Sequence, residues 1–337
     1  MARVLVSTAA AYYAHDAGRG HPERPARLDA VLRGVEAAGL GEDVARVEPR
    51  PATRAELETL HPPAYLDALE RFCRQGGGHI DPDTAAVPES WDAALLGAGA
   101  GPDAVDRLSG GAADAAFLAL RPPGHHATPT RAMGFCLLNN VAVTASVLAE
   151  RGERVAILDW DAHHGNGTQD AFYADPRVLY VSLHEFPLYP FTGRLRETGA
   201  EGAEGTTINV PLPEGATGDV YLRAMDELIG PAIEAFAPAW LLISAGFDGH
   251  RRDPLTGLRL SSGDFADLTA RAAPLVPAGR RIVFLEGGYD LDALADSTAA
   301  CLAALAGAEL RPEPATSGGP GADVVDAALM VRAEPAD

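Results

Sequence analysis

The sequence predicts a single α/β domain with a parallel sheet wound on both faces by helices. Three observations carry that prediction. Short apolar runs alternate with longer helical stretches along most of the chain. Several of these runs stop at His, Asp or Gly, as strands do where they deliver side chains to the ligand-binding edge of an open sheet. No repeat and no linker interrupts the alternation before about Arg311. A length of 337 residues suggests about two domains, but without a linker the chain reads as one.

Arg3–Thr8 (RVLVST) is the first expected strand, and the loop from Tyr12 to Pro25 carries His15 and His21-Pro22-Glu23-Arg24-Pro25. Pro25 opens a helix to about Ala38, with Leu28, Val31, Leu32 and Val35 on one face. Arg54–Leu60 and Ala64–Arg74 read as helices split by Pro62-Pro63, and His79–Pro88 as a polar loop. Ser90–Leu108 reads as a helix whose Ala and Gly content suggests close packing. Ala115–Leu120 (AAFLAL) is a strand running into Arg121-Pro122-Pro123-Gly124-His125-His126, and a helix follows Gly134-Phe135-Cys136 to about Glu150. Arg154–Leu158 (RVAIL) is a buried strand leading into Asp159-Trp160-Asp161-Ala162-His163-His164-Gly165. A short helix follows to Tyr173, then strands at Val178–His184 and Thr207–Leu212, separated by a long loop from Pro187 to Gly205. Loops of that length in compact domains are often binding elements. Val220–Ala235 is an amphipathic helix. Trp240–Ala245 and Arg280–Leu285 are strands ending in Gly246-Phe247-Asp248 and Glu286-Gly287-Gly288-Tyr289-Asp290. Leu291–Leu305 is the closing helix. Residues 1–310 form the expected domain, and 311–337 a Pro/Gly/Ala-rich, mostly extended tail.

A net charge of −20 argues against nucleic acid as a partner, since phosphate contacts need a basic surface. It favours solubility and cationic partners. Cys73, Cys136 and Cys301 are too few and too scattered for a disulfide framework, and no CxxC pair offers a thiolate zinc site. No apolar run has the length of a membrane span, and Met1–Ser7 lacks the arrangement of a signal peptide. The expected location is the cytoplasm.

In an extended segment, residues two apart face the same side. Asp161 and His163 therefore reach one cation together, with oxygen and nitrogen donors that suit zinc. Asp159 lies one step back on the same face. In a parallel sheet His125 and His126, Asp248 and Tyr289 come to the same edge. Asp248 would complete a set of three ligands with an open position, the arrangement of a catalytic zinc site. A neighbouring His would act as general base, and Tyr289 could donate to a developing oxyanion.

The segments RPPGHHA, GFCLLNN, LDWDAHHGNG, SLHEFPLYP, SAGFDGHRRDPL and LEGGYD resemble, in order, the pattern of the histone deacetylase superfamily over roughly residues 3–305. The HPERP loop and Asn166 resemble the class II branch and its bacterial relatives, the deacetylase-like amidohydrolases, acetylpolyamine amidohydrolases and acetoin-utilisation proteins. The resemblance implies an arginase–deacetylase fold and metal-dependent hydrolysis of an N-acetylated amine. It implies Asp161, His163 and Asp248 as ligands of one zinc ion and His126 as general base. It implies His125, oriented by Asp159, as its partner, and Tyr289 as the oxyanion donor. Asn166 stands behind His126 where class I members carry an Asp, so His126 is expected to be less polarised. Gly134, Phe135, Tyr189, Gly287 and Gly288 are implied as walls of a substrate tunnel, with the loops Tyr12–Pro25 and Pro187–Gly205 as its rim. A structural potassium ion is implied near Asp159, Asp161, His163, Ser182 and Leu183, and His164 as structural. The expected substrate is a small acetylated amine or an acetyl-lysine peptide, and the expected assembly a homo-oligomer, dimer or tetramer.

Two other readings compete. A dimanganese ureohydrolase of the arginase type shares the fold but needs an Asp two residues after the His of the central motif, where this chain has Gly165. A non-catalytic acetyl-lysine-binding homologue would have lost a ligand or Tyr289, and neither is lost.

Overall fold

The computed structural model describes residues 1–334. Its centre is an eight-stranded, wholly parallel sheet. The strands are β1 (Val4–Ser7), β2 (Val44–Val47), β5 (Ala115–Leu118), β6 (Val155–Asp159), β7 (Val178–Glu185), β8 (Thr207–Leu212), β9 (Trp240–Ala245) and β10 (Arg281–Leu285). β3 (Gly78–His79) and β4 (Ala85–Ala86) form a separate antiparallel hairpin, where a polar loop was expected. In space the order is β2-β1-β5-β10-β9-β6-β7-β8. Continuous apolar runs such as β6 and β9 are buried along their whole length, which is what a strand covered on both faces requires.

Helices α1 (Ala26–Ala37), α2 (Arg54–Glu58), α3 (Pro63–Arg74), α4 (Ser90–Ser109), α5 (Asn140–Glu150), α6 (Asn166–Phe172), α7 (Gly218–Ala224), α8 (Gly230–Phe236), α9 (Ser262–Ala272), α10 (Leu291–Leu305) and α11 (Ala322–Ala333) flank the sheet. The small-residue face of α4 packs as closely as its composition suggests. A Cβ on Gly101 would lie 1.9 Å from Thr144 Oγ1 on α5. The single helix expected over Val220–Ala235 is instead α7 and α8, joined by a π turn at Met225–Ile229. Pro231, which has no N–H to give, follows that turn.

Three further elements depart from the sequence reading. β2 lies at one sheet edge, beside β1. α9 begins at a capping box between Ser261 and Asp264. The segment after Arg311, expected to be extended, ends in α11, which packs against β8 at the opposite edge with Val325 and Ala328 buried. Covering an edge strand removes a row of unpaired backbone groups from solvent. The chain leading to α11 is also tied down. Thr316 donates its N–H and hydroxyl to Asp264, and Glu313 accepts from Ser262 and pairs with His250 and Arg251. No helix among the described residues is long and apolar enough to cross a membrane.

Candidate active site

Because β5, β10, β9 and β6 are neighbours and parallel, their C-terminal ends open onto one edge. β6 hands over Asp159, Asp161 and His163. β9 leads to Asp248, β10 to Gly287 and Tyr289, and β5 to His125 and His126. One ligand atom from each of Asp161, His163 and Asp248 lies within 4.8 Å of the others. His163 Nδ1 is 2.9 Å from Asp248 Oδ2 and 3.2 Å from Asp161 Oδ1. Backbone N–H groups hold both carboxylates. Gly287 donates to Asp161 Oδ2 at 2.7 Å, His163 to Asp161 Oδ1 at 2.8 Å, and Ala162 to Asp248 Oδ1 at 2.9 Å.

Among the described residues, Asp161 and Asp248 form salt bridges to histidines alone. Two buried carboxylates with no arginine between them are costly unless a cation compensates. Gly246 and Gly287 leave them no slack, since a Cβ would fall 2.1 Å from Asp161 Oδ2 at the first and 2.3 Å from Asp248 Oδ2 at the second. This oxygen–nitrogen donor set, fixed by backbone and buried, fits a zinc ion. Burial opposes charge on His163, but Asp161 and Asp248 overcome it and raise its pKa to about 10. Binding an ion there is therefore coupled to release of a proton.

The two histidines of the β5 loop lie beside this cluster with ring centroids 4.0 Å apart. His125 Nδ1 is 3.1 Å from Asp159 Oδ2, and Tyr180 donates its hydroxyl to the same oxygen at 3.2 Å. His126 Nδ1 is 2.9 Å from Asn166 Oδ1. The two environments drive the imidazoles apart. For His125, burial works against protonation, but Asp161 and then Asp159 outweigh it and lift the pKa to about 10. His126 is pushed well below the ordinary range by burial and then by the charges of His125 and His163. One neutral and one protonated imidazole side by side can serve as base and acid.

A cavity of about 240 Å³ opens above these groups. His125, His126, His163, Gly287 and Tyr289 line it, together with Gly134, Phe135 and Tyr189. Phe135 stands edge-on to Tyr289 at 5.9 Å and Tyr189 edge-on to His126 at 5.3 Å. Gly288 is not among the lining residues, and its carbonyl accepts from Arg27 Nε at 2.7 Å. The Pro187–Gly205 loop supplies Leu188 and Tyr189, whereas the Tyr12–Pro25 loop contributes no lining residue. Its His21 backs Phe135 at 4.6 Å instead. Ser182 pairs with Asp159 across β7 and β6, and its hydroxyl lies 2.9 Å from His184 Nδ1. His164 is held by Thr192 and Gln169 and is not part of the Asp161–His163–Asp248 cluster.

Sequence reasoning missed several participants. Asp83 and Leu255 line the cavity. Glu286 is fully buried and accepts from the N–H groups of Gly124 (2.7 Å) and His125 (3.2 Å), fixing the His-His loop. Behind Tyr289 lies a buried charge network. Glu23 accepts from Arg121 Nη2 at 2.7 Å and from Arg27 at 3.1 Å, and the Arg27 guanidinium sits 5.0 Å from the Tyr289 ring centroid. The available signal was the charged segment His21-Pro22-Glu23-Arg24-Pro25.

Residues 21–305 match the histone deacetylase domain. A protein from Archaeoglobus fulgidus named probable deacetylase is 40% identical over 306 residues, covering 89% of this chain and 85% of its own. The histone deacetylase-like amidohydrolase of Pseudomonas aeruginosa is 38% identical over 280 residues, 81% of this chain and 73% of its own. The crystal structure of the HDA15 HD domain superposes with a TM-score of 0.90 at 34% identity, covering 98% of this chain and 95% of that one.

Proposed function

The chain belongs to the histone deacetylase family, and from that premise we propose that it is a zinc-dependent amidohydrolase that removes the acetyl group from an acetylated amine. The convergence of Asp161, His163 and Asp248 on one point at the floor of a cavity carries this reading. Those three residues would hold the ion. Bound there, zinc would supply an acidified water and a Lewis acid for the amide carbonyl.

The chain's own groups provide the rest. Tyr289 donates its hydroxyl to the carbonyl oxygen as charge grows on it. His126, kept neutral, takes a proton from the attacking water. His125, kept protonated by Asp161 and Asp159, supplies electrostatic support and a proton for the departing amine. Asn166 accepts at His126 Nδ1 without the negative charge of an Asp, so His126 is a weaker base than one backed by a carboxylate. Ser182, Leu183 and the backbone near Asp159, Asp161 and His163 would hold a potassium ion.

Phe135 and Tyr189 leave a slot for a straight aliphatic stem, and the −20 charge attracts a cationic one. The proposed substrates are small acetylated amines or acetyl-lysine in a short peptide, processed by a cytoplasmic homo-oligomer. The test compares kcat/KM of the zinc-loaded protein on acetylputrescine, an acetyl-lysine peptide and an intact acetylated histone. Turnover of the histone as efficient as that of the small substrates would replace this substrate class with proteins. No acetate from any of the three would reject deacetylation.

A further inference from the structure

Tyr289 lies beyond the last rung of the sheet. The exit loops of β9 and β10 run side by side only as far as a bond from Phe247 N–H to Gly287 O at 3.0 Å. Gly288 then turns the chain at φ +119°, a conformation glycine adopts without strain. Past that turn the Tyr289 N–H has no backbone partner, and a side chain satisfies it. Asp253 Oδ2 accepts from Tyr289 N–H at 2.7 Å. The other oxygen, Oδ1, accepts from Leu255 N–H at 2.9 Å. Asp253 is 8% exposed, and among the described residues it forms no salt bridge. Its neighbour Arg252 turns instead to Asp290 and Asp296. One buried carboxylate thus ties together two walls of the cavity, Tyr289 and Leu255.

We propose that Asp253 is a positioning residue for the deacetylation reaction: it fixes the backbone from which the Tyr289 hydroxyl is aimed. The proposal rests on the functional reading above. A carboxylate suits the task because it accepts at both oxygens, whereas an amide of the same shape accepts at one and presents N–H to the other donor. Arg27 holds the Tyr289 ring from one side and Asp253 holds its backbone from the other. A buried group left without its partner costs more than the bond itself gains, so the carboxylate also resists any drift of the tyrosine.

The test is a double-mutant cycle of Asp253→Asn with Tyr289→Phe, read on an acetyl-lysine peptide. Asp253→Asn should lower kcat by about 10–100-fold, the usual cost of removing a supporting partner, with less effect on KM and full zinc retention. In the Tyr289→Phe background the same change should cost almost nothing, because there is no hydroxyl left to aim. Losses that multiply across the cycle, or zinc lost from Asp253→Asn, would overturn the proposal while leaving deacetylation intact. An inactive, zinc-loaded wild type would instead strike the functional reading. Hydrogen exchange on the wild type needs neither substrate nor variant. The Tyr289 amide, although outside any strand, should exchange slowly, and free exchange would overturn the contact.

Discussion

Replacing Gly287 by Ala tests how tightly the carboxylate cluster is built. The new Cβ would stand 2.3 Å from Asp248 Oδ2 and 2.6 Å from Asp161 Oδ2, where ordinary contact begins near 3.4 Å. Relief requires the carboxylates to retreat by about 1 Å. Asp161 cannot do so freely, because its Oδ2 accepts from the N–H of Gly287 itself at 2.7 Å. Overpacking of this kind typically costs about 1–3 kcal/mol, a few degrees in melting temperature for a chain of this size. Metal sites tolerate only about ±0.2 Å in ligand distance, so the larger effect falls on the ion. Gly287→Ala should fold, melt slightly lower than wild type in the presence of chelator, and lose zinc affinity at least about tenfold. Gly249→Ala is the control, since the nearest atom to its Cβ would be 3.7 Å away. The assays are zinc content after dialysis against a buffered zinc series, and thermal melts. Wild-type zinc affinity in Gly287→Ala would refute the claim that these carboxylates bind the ion where they now stand.

Tyr289→Phe should cut kcat by about 10²–10³ with zinc content unchanged, measured by steady-state kinetics on an acetyl-lysine peptide. Unaltered kcat would mean that Tyr289 only packs. Asn166→Asp places a carboxylate at His126 Nδ1, so it should raise the depressed pKa of His126 and move the acid limb of the kcat/KM profile to higher pH. An unmoved limb would show that His126 is not the base. In Glu23, burial favours the neutral acid, but Arg121 and His15 hold the carboxyl well below its usual range. A folded pKa depressed below the unfolded one gives stability that is full at neutral pH and lost as acid titrates the folded carboxylate. Glu23→Gln should therefore destabilise by about 3–5 kcal/mol near neutral pH, because Arg121 and Arg27 stay buried without their acid. Denaturant melts of both proteins from neutral to acid pH check this, and the gap between them should narrow toward the acid end.

The strands that carry the site were legible because they are buried on both faces. Continuous runs such as Val155–Leu158 and Trp240–Ala245 admit few other readings, and the titratable residues beyond them fall on one edge once the sheet is parallel. β2 was not legible, because an edge strand paired on one side tolerates Arg46 and shows no apolar run. α9 did carry a signal, Ser261 followed by Asp264 with Phe265, Leu268 and Ala272 on one face. In the tail, the Pro and Gly residues before Ala322 hid a helix whose buried face is only Val325 and Ala328. Asp253 and Glu286 lie within the segments SAGFDGHRRDPL and LEGGYD, but the pattern gives neither a role. Each acts on backbone N–H groups far away in sequence, Tyr289 for the one and Gly124 with His125 for the other. Such contacts exist only after folding.

The most direct test of zinc-dependent deacetylation is acetate released from an acetyl-lysine peptide as metal-free protein is titrated with zinc. The chain contains no lysine, so all acetyl-lysine in the reaction comes from the peptide. Activity should rise from baseline to a plateau at one zinc per subunit, and Asp248→Ala should show neither zinc retention nor acetate. Full acetate release by the metal-free protein, or by Asp248→Ala, would contradict the assignment of Asp161, His163 and Asp248 as the centre of the reaction.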